Sequence, residues 1–204
     1  MTNINILQHI RIDLNKDTDY LLERHCRINY ACDCPWAREI GYEEYRANWF
    51  ANSGQQEEFL SALRNSMKDE RTIAEIIKLI PRQKFARQTF ATPLKRGIET
   101  PSFTNDLIGV SIAEQGETVG FIWVPFHGRD ASFIWADVQD LYVEEPFRGS
   151  GIASYLMEYA EKHARDNGAK VIRSGTGCEN IASQKMHGKL GYYQYRMEYE
   201  KVLG

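Results

Sequence analysis

Polar residues open the chain, broken by an apolar alternation near Ile6 to Ile12 that predicts a short first strand. Helical spacing then takes over. In TDYLLERHCRINY (18–30), Leu21, Leu22, Cys26 and Ile28 to Tyr30 fall near one face of a helix. GYEEYRANWF (41–50) and QEEFLSALRNSM (56–67) read as two further helices. DERTIAEIIKLI (69–80) predicts another, capped by Asp69 and stopped by Pro81. From Pro81 to Thr104 the periodicity dissolves, and Pro93, Pro101 and the charges Arg82, Lys84, Arg87, Lys95, Arg96 and Glu99 read as a solvated connection. A contact to phosphate or to an acidic substrate is the alternative.

The second half changes period. LIGVSIAEQ (107–115) and TVGFIWVPF (118–126) form a hairpin pattern about a Gly-Glu turn, and ASFIWADVQDLYV (131–143) predicts a long third strand. GIASYLMEYAEKHARDNG (151–168) is an amphipathic helix, with Ile152, Leu156, Tyr159, Ala160 and His163 on or near one stripe and Gly168 as its stop. AKVIRSG (169–175) predicts a strand, NIASQKMHGKL (180–190) a short helix and GYYQYRMEYEKVL (191–203) a closing strand. This order predicts an α/β fold with a mixed, mostly antiparallel sheet flanked by helices. One domain is expected over 1–204, with an enlarged helical part at about 13–100 and a strand-rich core at about 104–204.

Composition narrows the partners. The 204 residues, 43% of them hydrophobic, suit a globular chain with a sizeable core. A net charge of -3 and a pI near 6.0 argue against a general nucleic-acid binder. No run approaches the roughly 20 apolar residues of a membrane span, and the N-terminus lacks a secretory pattern. The expectation is a soluble, cytoplasmic protein with no membrane partner. Cys26, Cys32 and Cys34 crowd beside His25, but they supply one Cys-x-Cys pair where zinc sites need two pairs. Reduced thiols are expected, with no metal and no disulfide. Cys178 is a lone thiol with no nearby His in sequence, a poor candidate for a nucleophile.

The chemistry concentrates in EEPFRGSGIASYL (144–156), where a strand hands over to a helix through Arg148, Gly149 and Gly151. Glycine contributes little to either element, so it serves close approach. Such a turn points free N–H groups at one spot, the helix dipole adds partial positive charge, and phosphate is the usual occupant. Arg148 would add a fixed charge and forked donors. The Walker lysine is absent and Ser154 breaks a dinucleotide fingerprint.

VQDLYVEEPFRGSGIASYLMEYAEKHARDNG, followed by NIASQKMHGKLGYY, resembles the two signature segments of the GNAT superfamily of N-acetyltransferases. Arg148, Gly151 and Ala153 fill the places of the family's loop, and Asn180, Gly191 and Tyr192 those of its later segment. The similarity covers about Leu107 to Val202. It implies acetyl-CoA as co-substrate, its pyrophosphate on the backbone amides of Arg148, Gly149, Ser150, Gly151, Ile152 and Ala153. It further implies a pantetheine arm beside Leu141, Tyr142 and Val143, pairing with the main chain of Leu141 and Val143, with Asn180 and Ser183 on the cofactor side. The thioester would sit where this strand and KVIRSG splay apart, with main-chain N–H groups there to hold a developing oxyanion. The implied reaction is direct acetyl transfer to a primary amine, of a small molecule, with no covalent enzyme intermediate.

Strict alternation places Asp137, Gln139, Leu141 and Val143 on one strand face and Val138, Asp140 and Tyr142 on the other. QDLYV is similar to the EDLYV of amine-acetylating relatives, but Gln139 cannot act as a base. Asp140 is then the first candidate for ordering the amine or a water, with Glu144 and Asp137 behind it; a hydrogen bond at the strand end is its structural alternative. His187 stands where the family usually carries a tyrosine acid. Histidine near 6.5 is mostly unprotonated at neutrality, unlike tyrosine near 10, so a proton relay through His187 would be pH-sensitive. Water or Ser183 is the alternative. Tyr30, Trp36, Tyr42, Tyr45 and Trp49, with Asp33, Glu39, Glu43 and Glu44, are candidates for a cationic-amine pocket, or simply helix core and solvated surface. A non-catalytic acyl-CoA-binding module and a protein or peptide N-acetyltransferase remain alternative readings, and the closing strand or exposed aromatics are the candidate surfaces for a homodimer.

Overall fold

A computed structural model describes residues 8–11, 13–32, 39–67, 103–112, 118–130, 133–199 and 201. Its strands are β1 (Gln8–Arg11), β2 (Phe103–Ile112), β3 (Thr118–Asp130), β4 (Phe133–Val138), β5 (Asp140–Val143) and β6 (Val171–Ser174). Its helices are α1 (Leu14–Cys32), α2 (Tyr42–Ala51), α3 (Ser53–Met67), α4 (Ile152–Asp166) and α5 (Ile181–Lys189). The helix expected at 69–80 and most of the connection after it lie outside the described residues. The sheet runs β1-β2-β3-β4-β6 with β5 also against β3, and only the β4–β6 pair is parallel. Among the described residues no helix is long and apolar enough to cross a membrane.

β3 is the axis of the fold. Val119 to Phe126 are buried without a break, because both faces of this strand are covered. Phe121 and Trp123 pack against Leu21, Leu22, Cys26, Trp49, Phe59 and Leu63 of α1–α3. Ile122, Val124 and Phe126 pack with Leu156, Met157 and Ala160 of α4 and Met186 of α5 on the other face. Burial pushes the Cys26 thiol up to about 11, which marks it as a core residue; Cys34 lies outside the described residues.

The long strand expected at 131–143 is interrupted at Gln139. Asp137, Val138 and Gln139 lie opposite only Val124 and Pro125, a one-residue bulge. Pro125 has no N–H to give, and it sits where the ladder to β2 also slips, between Phe103 and Leu107. The bulge reverses the side-chain phase and corrects the expected faces. Ile134, Ala136 and Val138 share the α4 face with Leu141 and Val143, leaving Trp135 and Asp137 on the α1 face with Asp140 and Tyr142.

Among the described residues the expected closing strand does not form. Residues 192–199 make no ladder, and Tyr193, Met197 and Tyr199 are largely exposed. Their alternation has the right period for a strand, but one face of it finds nothing to bury against, and β-propensity expresses packing rather than backbone preference.

Candidate active site

β4 and β6 run side by side only from the Trp135–Val171 pair to the Val138–Ser174 pair. Past that point β5 continues against β3 alone, so its outer edge is open. Glu144 N–H donates to Val119 O (2.8 Å), which turns the main chain of Glu144, and by alternation of Tyr142 and Asp140, toward β3. The N–H and C=O groups of Leu141 and Val143 therefore face the opening, and Val143 O indeed accepts from Arg148 Nε (3.0 Å). The tract expected to pair with a pantetheine arm is thus an edge on which no strand lies among the described residues, at the mouth of a strand splay. Tyr142 differs: its main chain serves β3, and its ring lies under the guanidinium groups of Arg24 and Arg148 (5.8 and 5.4 Å).

A 3-10 turn, Glu145–Phe147, leads from β5 to α4. Gly149 (φ 75°) and Gly151 (φ 93°) both adopt the left-handed conformation, and Gly151 caps α4 without any side-chain hydrogen bond. The first intrahelical bond here is Tyr155 N–H to Gly151 O, so the preceding N–H groups of the first turn lack helical acceptors. Ile152 is buried in the core and offers only its main chain. These free donors, an exposed glycine turn and Arg148 beside it fit a diphosphate by charge and by steric access.

On the α1 face, Asp140 is only 2% exposed and His25 Nδ1 sits 2.8 Å from its Oδ2. The imidazole stacks on Phe59 (centroids 3.8 Å apart, 12° between planes) with Trp49 edge-on at 6.1 Å. Just past the end of β5, Glu144 is paired with Arg24, whose nitrogens approach its Oε1 at 2.7 and 2.8 Å. Burial and then the Glu144 carboxylate raise the Tyr20 hydroxyl above its ordinary range. The three candidate carboxylates, Asp137, Asp140 and Glu144, thus share one face. His25 and Arg24 were missed by sequence reasoning, which weighed His25 only as a neighbour of cysteines.

On the opposite face, Asn180 Oδ1 accepts from Ser183 N (3.1 Å) and caps α5. His187 Nδ1 lies 2.8 Å from Ser183 O. A carbonyl only accepts, so this nitrogen carries the proton. His187 Nε2 is buried with no hydrogen-bond partner, and the ring meets the Tyr192 ring edge-on at 5.2 Å. Burial, and then the Glu161 carboxylate, push the Tyr192 hydroxyl above its ordinary range.

The expected amine pocket is largely core. Tyr45 and Trp49 are buried among the helices, Tyr30 packs on Tyr42 and Tyr45, and Tyr42 OH donates to Glu23 (2.7 Å). Glu43 and Glu44 point to solvent, while Asp33 and Trp36 lie outside the described residues.

The sequence matches the family model described as "Acetyltransferase (GNAT) family" over residues 73–192. An aminoalkylphosphonate N-acetyltransferase of Salmonella typhimurium is 33% identical over 90 residues, 43% of this chain and 58% of that protein. The uncharacterized N-acetyltransferase YycN of Bacillus subtilis is 27% identical over 124 residues, 59% of this chain and 75% of its own length. The chain therefore spans little more than half of the first of these relatives. A Pyrococcus furiosus structure ascribed to an acetyl transferase has a TM-score of 0.56 at 20% identity, covering 96% of this chain and all of its own, a likeness of fold.

Proposed function

The chain belongs to the GNAT family of acetyltransferases, and on that premise we propose that it moves an acetyl group from acetyl-CoA directly to a primary amine of a small molecule. The observation that carries this reading is the open edge of β5 beside the end of β6, reached from the glycine turn that starts α4. The amides of Arg148 to Ala153 hold the diphosphate, that of Arg148 leaving Glu145 O (3.2 Å) to do so, and the main chain of Leu141 and Val143 pairs with the pantetheine amides. Arg148 must release Val143 O for that pairing, and its freed guanidinium then serves the phosphates. Acetyl-CoA supplies an activated acyl carbon; N–H groups at the opening stabilise the oxygen charge that develops as the amine adds.

The acceptor enters on the α1 face, because the α4 face of the opening is filled by Val138, Leu141, Ile152 and Leu156. Arg173 shares that accessible face. Its guanidinium lies 5.0 Å from the Trp135 ring and 5.2 Å from the Tyr195 ring, opposite Asp137 in the β4–β6 register. No carboxylate among the described residues forms an ion pair with it. The substrate named for the Salmonella relative joins an amine to a phosphonate. A small amine bearing an acidic group is therefore the first acceptor class to test.

Thiol release from acetyl-CoA, measured against a panel of aminoalkylphosphonates, amino acids, polyamines, aminoglycosides and peptides, tests the reading. Acceptor-dependent release is expected with free small amines. Binding of coenzyme A without release from any of them would favour a non-catalytic module, and release only with peptides a protein acetyltransferase.

His187 is assigned the proton for the departing thiolate; Ser183 O holds the Nδ1–H of the neutral ring, so only the imidazolium has a proton to deliver from Nε2. His187→Phe keeps the ring volume and removes the donor. It is expected to lower turnover about a hundredfold, the lower end of what a general acid contributes, with coenzyme A affinity unchanged by calorimetry. Unchanged turnover and pH profile would leave water as the acid.

A further inference from the structure

We propose that His25 is the general base of the acetyl transfer and that Asp140 is its positioning residue. The inference rests on the acetyltransferase reading above and assigns the proton acceptor of that same site.

Two carboxylates on this face are compromised as bases. The Glu144 carboxylate is held by Arg24, and Asp140 is almost completely enclosed. His25 is differently placed. Its Nδ1 meets a carboxylate oxygen, which can only accept, so Nδ1 carries the proton and the lone pair of the neutral ring lies on Nε2. The His25 side chain retains 15% exposure against 1% for Asp140. Among the described residues the ring's hydrogen bond is the one from Nδ1, and none is made to Nε2. The ring plane is fixed by Phe59 from α3 and the Trp49 edge from α2, which leaves the imidazole one orientation.

The position is as telling as the bonding. Asp140 is the first residue after the bulge, level with the point where β6 ends and the opening begins. His25 therefore stands over the mouth on the face the acceptor must use. Among the described residues, the charged and titratable groups on this face are Asp140 from β5 and the Arg24–Glu144 pair, with Tyr20 and Tyr142 alongside, and the rings that meet the imidazole from α2 and α3 are those of Trp49 and Phe59.

The proton balance is simple. The bound ammonium gives one proton to His25 Nε2, and Asp140 stabilises the imidazolium that forms. The freed nitrogen lone pair bonds to the thioester carbonyl carbon, and the carbon–sulfur bond breaks toward sulfur. The second amine proton leaves the nitrogen as the tetrahedral adduct collapses and passes through solvent to replace the one that His187 gives to the thiolate, and His25 returns its own to water.

His25→Asn preserves a donor toward Asp140 and removes the base. It is expected to lower kcat/KM about a hundredfold, with coenzyme A affinity within twofold of wild type. The acid limb of the variant's pH profile should then follow the free-amine fraction of the acceptor alone, and added imidazole should restore part of the rate. A variant within threefold of wild type, with the acid limb in place, would show the pair to be a packing device. A wild-type protein that binds coenzyme A yet acetylates nothing would overturn the transferase reading instead, and the base with it. Nitrogen-15 NMR of the imidazole supplies a readout besides activity. The neutral ring is expected as the Nδ1–H tautomer, and Asp140→Asn should weaken that preference. A neutral His25 carrying its proton on Nε2 contradicts the assignment even if both variants fold poorly.

Discussion

Gly120→Ala is expected to lower stability by about 1–3 kcal/mol, the range for forcing a group into a packed site, and to weaken coenzyme A binding at least tenfold. Gly120 lies in β3 opposite Val143. A Cβ on it would stand 2.6 Å from Tyr142 O and 3.3 Å from Val143 Cα. Both are backbone atoms of β5, so no rotamer change relieves the clash, and the neighbouring strand has to move. That strand carries the open edge of Leu141 and Val143 on one side and Asp140 on its α1 face. Stability and affinity should therefore fall together, by urea denaturation and by calorimetry on one preparation. Gly149→Ala is the contrast: a Cβ there meets nothing within 4 Å. Its stability cost should stay near the roughly 1–2 kcal/mol of a left-handed residue. A Gly120→Ala protein that melts and binds like wild type would mean β5 does not lie this close to β3.

What could be read from the residues was what is encoded locally. Period 3.6 against period 2 located the described helices and the central strands, and glycines between them located the turn into α4. The bulge at Gln139 escaped, because inserting one residue leaves the alternation intact on each side and only reverses its phase. Its trace was on the partner strand: Pro125 sits in a stretch buried on both faces, where a residue without an N–H fits only at a break in the ladder. His25 escaped for another reason. Its partner is 115 positions away, beyond any spacing rule, while the adjacent cysteines drew it toward a metal reading. The aromatics of α2 failed as a pocket because core and pocket residues share the same helical spacing. Alternation in 192–199 announced a strand but could not supply the neighbour it needs.

Gly151→Val is expected to raise the dissociation constant for coenzyme A at least a hundredfold while leaving the fold intact. Gly151 holds φ 93° and ψ -1° as the N-cap of α4, and a β-branched residue there has to distort the turn or leave it. Distortion redirects the N–H groups that open the helix. Hydrogen bonds to a charged group are worth roughly 1.5–3 kcal/mol each, so misaligning two of them accounts for a hundredfold loss. The core beneath is insulated, since Gly151 is exposed and the buried contacts begin at Ile152 and Leu156. Arg148→Gln separates charge from geometry. It removes a half-exposed guanidinium, so its effect should be nearer tenfold and should shrink in high salt, where such charges are screened. Loss in Gly151→Val should persist in salt, because it comes from the direction of backbone dipoles. If the valine protein binds coenzyme A as wild type does, the diphosphate does not rest on this turn. The sulfur end would then have no fixed route to the opening between β5 and β6.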